Sequence, residues 1–153
     1  MAQPVESSKG GKSFSVATFL VGDALFGMDI CQIQEINKIT DFTQVPKAPA
    51  YVLGIINLRG RIVTVIDLGK KLGLPPTRHG PASRNIIVNW REESVGLFVD
   101  GIADVIGVEA DKLMAPPSNL KGAQEKFLQG VYKTATQLIT ILDVETVLVV
   151  EDR

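Results

Sequence analysis

Apolar residues along this chain cluster in short runs with turn residues between them, the period of strands rather than of long amphipathic helices. The densest stretch is 54–68, G-I-I-N-L-R-G-R-I-V-T-V-I-D-L. Runs at 54–58 and 61–67 flank the Arg59-Gly60 pair, and Val and Ile fill the second, as a pleated and largely buried strand prefers. Gly60 supplies the positive φ that a tight connection needs. The pattern predicts a hairpin with the Arg59 cation at its turn, in water. Pattern alone leaves open whether Arg59 is a solvated turn residue or a functional one.

Taken in order, 14–21 and 24–30 read as a hairpin turning at Gly22-Asp23. Residues 31–39 place Ile at 33, 36 and 39, yet their β-branched content favours a short turn leading into a strand. Two prolines make 45–49 a connector, and 50–53 reads as a helical turn. Asp67 is placed to cap a short helix at 68–72, ended by Gly73 and Pro75-Pro76. Residues 77–83, with His79 and Pro81, read as an exposed loop. Further strands are expected at 85–90, 94–99 and 102–108, with Glu92-Glu93 at a turn. A helical turn at 110–113 and a polar loop at 115–126 precede a last hairpin, 127–133 with 137–143. Residues 145–150 close as a helical turn or a short strand.

The chain also matches itself. Offset by 69, Phe26-Gly27-Met28 falls on Val95-Gly96-Leu97, and Ile33, Glu35 and Ile36 fall on Ile102, Asp104 and Val105. Offset by 76, Tyr51, Gly54 and 62–67 fall on Phe127, Gly130 and 138–143. Ordered blocks sharing Gly and Asp positions indicate a duplicated unit of about five short strands. Units of 60–70 residues suit small closed barrels, which also hide their sheet edges.

Composition adds mainly exclusions. A chain of 153 residues, 45% of them hydrophobic, holds one domain or two very small ones with a real core. A net charge of −1 gives no footing for nucleic acid or an anionic membrane surface. No apolar run approaches the roughly 20 residues of a membrane helix. Residues 1–12 read as a loose polar tail without a signal core. The single cysteine, Cys31, rules out an internal disulfide and points to a reducing, cytoplasmic setting.

Catalytic machinery is hard to find. His79 has no orienting carboxylate or nucleophile nearby and reads as a solvated loop residue. Cys31 reads as a small, partly buried thiol. One Cys and one His fall short of the three or four such ligands that zinc sites normally draw on, and no phosphate-binding loop is present. Asp67 and Asp143 occupy equivalent places after strands, where Asp caps the next turn. Glu35 stands between Ile33 and Ile36, so it is either paired or at an interface rim, or else a strand residue facing solvent. The balance favours a binding module without cofactor.

The 54–68 stretch closely resembles the signature of the CheW family of chemotaxis coupling proteins. The family's N-L-R-G turn stands at 57–60, its V/I-x-E-I element at 33–36, and its G-x-x-V-D-x-I-x-D-V block at 96–105. Thr64 departs from the proline that many members carry inside the second strand. The resemblance spans roughly 14–150 and implies a mainly β fold: two small SH3-like five-stranded barrels with a few short helices. The first barrel is expected at roughly 14–80 and the second at roughly 84–150, with strand exchange between them left open. It implies a non-catalytic scaffold linking methyl-accepting chemoreceptors to the regulatory domain of the CheA histidine kinase, in cytoplasmic arrays at the inner membrane. It further implies kinase- or receptor-binding roles for Ile33, Glu35 and Arg59, and a receptor-facing groove with Gly54, Ile86 and Val105. An adaptor of a related chemosensory pathway, such as one controlling pili, fits the same residues. A small-ligand binder or enzyme using the cleft between barrels is the alternative of another class.

Overall fold

The computed structural model describes residues 13–115 and 125–149. The tail expected at 1–12 and most of the polar loop expected at 115–126 lie outside the described residues. The chain forms strands β1 (Ser13–Val21), β2 (Ala24–Asp29), β3 (Ile33–Asn37), β4 (Val52–Leu58) and β5 (Arg61–Asp67), then helix α1 (Leu68–Lys71). It continues with β6 (Arg84–Trp90), β7 (Glu93–Val99), β8 (Gly101–Glu109), β9 (Leu128–Lys133), β10 (Leu138–Leu142) and helix α2 (Val144–Leu148). The helical turn expected at 50–53 gives way to the start of β4; a single Val52 N–H to Pro49 carbonyl bond of 3.0 Å is what turns the chain there.

The strands make two five-stranded sheets, ordered β8-β1-β2-β10-β9 and β3-β6-β7-β5-β4. These sheets do not divide at the expected 14–80 and 84–150. The second is built from the middle of the chain, and the first from its two ends. The cause is a reciprocal exchange. Strand β5 runs parallel to β7 with Thr64 opposite Val95, and β10 runs parallel to β2 with Thr140 opposite Phe26. The repeat offsets carry Thr64 onto Thr140 and Phe26 onto Val95, so this is one contact made twice. Each repeat's late hairpin has joined the other repeat's early strands.

Both sheets close on themselves by the same device. After β3 the chain returns so that Thr43 bridges Ile55 of β4, the opposite outer strand; after β8, Met114 bridges Val131 of β9. A glycine sits beside each bridge. A Cβ at Gly54 (φ 150°) would collide with the Thr43 carbonyl oxygen, and one at Gly130 would lie 2.9 Å from that of Met114. The shared Gly of the repeat is therefore explained by closure: another backbone must pass where a side chain would stand.

Alternate residues of the central strands feed different cores, which is why these strands read as continuous apolar runs. One face packs a core shared by the two barrels, including Phe19, Phe26, Met28, Ile86, Leu97 and Leu142. The other faces fill private cores, Ile56, Val63, Val65, Ile87 and Phe98 in one barrel and Val16, Val108, Ile139 and Ile141 in the other.

Asp67 and Asp143 cap α1 and α2 as expected, accepting from Lys70 N at 3.1 Å and Thr146 N at 3.3 Å. Asp67 also accepts from Thr77 N at 3.0 Å. The loop expected at 77–83 is exposed at 78–82, and only its ends, Thr77 and Ser83, are buried. Asp100 pins the same loop, accepting from Gly22 N at 2.9 Å, Arg78 N at 3.2 Å and Arg78 Nε at 2.9 Å. Asp100→Ala strands these donors and is expected to lose about 2 kcal/mol. Urea unfolding should register it as a lower midpoint with an unchanged slope.

Candidate functional site

Glu35 lies on β3 opposite Ile87 of β6, just past a bulge that separates it from Ile33, while Ile36 is exposed. Arg59 and Gly60 form the two-residue β4–β5 turn, with φ of 52° and 86°, and the Asn57 side-chain oxygen accepts from Gly60 N at 2.9 Å. Two positive φ values identify the primed turn that matches strand twist. This turn carries the guanidinium over to β3, where Nη2 donates to Glu35 Oε1 at 2.5 Å. Since β3 and β4 are the outer strands of one sheet, the ion pair joins its two edges. Glu35 is thus paired, not a free solvent-facing carboxylate. Its acid side chain is 26% exposed and the Arg59 side chain 67%.

The Arg59 hydrogen bond holds the Glu35 pKa below the usual Glu value, against an opposing desolvation effect and with help from Asn37. A folded-state pKa lowered in this way contributes stability above the unfolded value. The contribution fades as pH falls through the lowered folded value. Glu35→Gln should therefore lose a little stability at neutral pH, converge with the parent as pH falls below the ordinary Glu range, and so show a flatter acid limb. Chemical unfolding at stepped pH checks this.

The other expected residues are distributed unevenly. Ile33 is half-buried against the shared core, and Ile86 is fully buried there, opposite Ile36 in the β3–β6 pairing. Gly54 is buried beside the Thr43 bridge. Of the three residues expected in a receptor-facing groove, Val105 alone presents a side chain, 57% exposed on outer strand β8. Cys31 corrects another expectation, being exposed, with the Asp29 carboxylate pushing its thiol pKa up. His79 is exposed but covers Phe98, ring centroids 4.7 Å apart, and meets Phe42 at 6.2 Å. Among the described residues, no three His, Cys, Asp or Glu side chains are placed to hold a metal, and no helix is long and apolar enough to cross a membrane.

Sequence reasoning missed one pair as surface residues. Ile62 of β5 and Leu138 of β10 are 62% and 49% exposed, and the 76-residue offset superposes them. Each follows a hairpin turn on a different barrel. The signal was an apolar residue beside the turn in both repeats, and it had been absorbed into the strand pattern.

A family model described as the CheW-like domain matches residues 15–152. The chemotaxis protein CheW of Treponema pallidum is 33% identical over 137 residues, spanning 87% of this chain and 81% of its own. That of Bacillus subtilis is 32% identical over 130 residues, 85% and 83% of the two chains. The crystal structure of a scaffolding CheW protein from Thermoanaerobacter tengcongensis superposes with a TM-score of 0.82 at 30% identity, covering 96% of this chain and 95% of the other.

Proposed function

The chain belongs to the CheW family of chemotaxis coupling proteins, and we propose that it couples without catalysis, joining methyl-accepting chemoreceptors to the regulatory domain of a CheA-type histidine kinase. The observation that carries this reading is the repeat-matched pair Ile62 and Leu138, one on each barrel and both exposed. A linker must hold two neighbours at once, and a duplicated barrel offers two like apolar anchors for doing so. Apolar anchors supply affinity, and charged groups such as Glu35 and Arg59 set register at the rim. Val105, exposed on β8, is assigned to the receptor side, with Ile86 and Gly54, both buried, acting through the fold rather than by contact. Ile33, packed against the shared core, anchors the start of the strand that carries Glu35. The site of action is then the cytoplasmic face of the inner membrane, within receptor arrays.

Co-sedimentation with receptor-bearing membranes, with and without kinase, tests the reading. Ile62→Asp and Leu138→Asp are each expected to cut kinase recovery about tenfold or more while the protein still reaches the membranes. Val105→Asp should cut recovery of the protein itself. Kinase and protein recovery unchanged in all three variants would overturn the proposal.

A further inference from the structure

The internal repeat supplies a control for the Glu35–Arg59 pair. Offset by 69, Glu35 falls on Asp104; offset by 76, Arg59 falls on Ala135. The second barrel therefore has the carboxylate without the turn cation, and Asp104 is exposed. The first offset also carries Asn37 onto Ile106 and aligns Val16 with Asn85. Both are cross-strand pairs, Asn37 opposite Asn85 between β3 and β6, and Ile106 opposite Val16 between β8 and β1. Where the ion pair is absent, these two positions are aliphatic and pack in that barrel's private core. Where it is present they are amides, and Asn85 is fully buried.

The amides are tied in one orientation. Asn37 Oδ1 accepts from Ile39 N at 3.0 Å and from Asn85 Nδ2 at 2.9 Å. Asn85 Nδ2 also donates to the Ile39 carbonyl at 2.6 Å, which uses both of its hydrogens. Turning the Asn37 amide over would set its own donors against two others, so Nδ2 is held on the far side. That Nδ2 is buried and closes no full hydrogen bond, and Asn85 Oδ1 is likewise buried and unpaired. Such groups are costly, and an aliphatic pair would remove the cost, as it does in the other barrel. The fold alone gives no reason for amides here.

Glu35 supplies one. It stands opposite Ile87, and Asn37 opposite Asn85, with no register shift between them, so the two side chains share a face of β3 two residues apart. The Arg59 hydrogen bond does most to hold the Glu35 pKa low; Asn37 adds to it, and Nδ2 is the only donor its side chain has. The further charge acting on Glu35 is Arg61 of β5, while β6 opposes it with apolar Ile87. We propose that Asn37 and Asn85 are positioning residues for Glu35: Asn85 fixes the Asn37 amide, and Asn37 Nδ2 steadies the carboxylate from along β3 while Arg59 holds it from the turn. The carboxylate then keeps its place when a partner competes for the exposed guanidinium. That consequence rests on the coupling reading; the positioning does not.

Asn37→Ile combined with Asn85→Val copies the other barrel. In the free full chain, the Glu35 carboxyl carbon is followed by NMR through a pH titration. In the double variant its pKa is expected to rise toward the ordinary Glu value without reaching it, since Arg59 remains, and the melting temperature to stay level or rise. Asn85→Val alone, which acts on Glu35 only through Asn37, should move the titration in the same direction. Should either variant fold poorly, Asn37→Ala removes the same donor. An unchanged Glu35 titration in the folded variants would overturn the proposal, and a fall in melting temperature alone would make the amides merely structural. Assembly with kinase and receptor membranes should weaken about threefold in the double variant, the order of one neutral hydrogen bond. Assembly weakened by Glu35→Ala but untouched in the double variant would also overturn it. Assembly untouched by Glu35→Ala would instead sink the coupling role of Glu35, with the titration in the free chain still deciding the positioning.

Discussion

Gly54→Asp is expected to destabilise the fold itself rather than to spare the fold and weaken a docking surface. A Cβ at this position meets the Thr43 carbonyl oxygen and carbon and the Phe42 Cβ. The first of these is backbone held in a bridge to Ile55, with Ile55 N to Thr43 O at 2.8 Å and Thr43 N to Ile55 O at 2.9 Å. It cannot swing away as a flexible side chain would. The φ of 150° adds strain for any residue with a side chain, and aspartate adds a charge with no partner in view. Together these should cost about 3–5 kcal/mol, or roughly 10 °C in Tm for a chain of this size. Gly60→Ala is the control. Gly60 has φ 86° but nothing within 4 Å of a Cβ, so strain acts alone there and about 1 kcal/mol is expected. Equal, small losses at both positions would refute the closure argument and return Gly54 to the surface role expected from the resemblance.

Removing either charge of the Glu35–Arg59 pair is expected to have the opposite profile. Both side chains reach solvent, and exposed ion pairs contribute little to folding, so Glu35→Ala and Arg59→Ala should barely move the unfolding midpoint. Assembly with kinase and receptor membranes should weaken by roughly 30-fold or more, as when one partner of a desolvated charge pair is truncated at an interface. The doubly reversed chain, Glu35→Arg with Arg59→Glu, should recover part of that loss because the two groups bond to each other. Recovery stays partial, since the turn position of Arg59 requires φ near 52°. Large melting losses with intact assembly would make the pair a structural clasp and nothing more.

Much of this was legible in the residues. Alternation and turn chemistry located the strands, the 57–60 turn was placed to the residue, and Asp67 and Asp143 were read as caps because capping is local chemistry. The repeat was visible too, since a duplicated fold keeps its special positions, including the glycines at closure. The resemblance marks Glu35 and Arg59 as opposite charges that either meet across the barrel or engage partners, and the fold brings them together across 24 residues. Only tertiary structure decided which hairpin pairs with which strand. An apolar strand buried on both faces satisfies either repeat's partner equally, so nothing local chooses between exchange and its absence. Burial of Gly54 and Ile86, the pinning of 77–83 by Asp67 and Asp100, and the exposure of Cys31, Ile62 and Leu138 were likewise settled by packing. Local pattern says that a residue is apolar, small or charged. Which face it shows to water depends on strands that arrive from far along the chain.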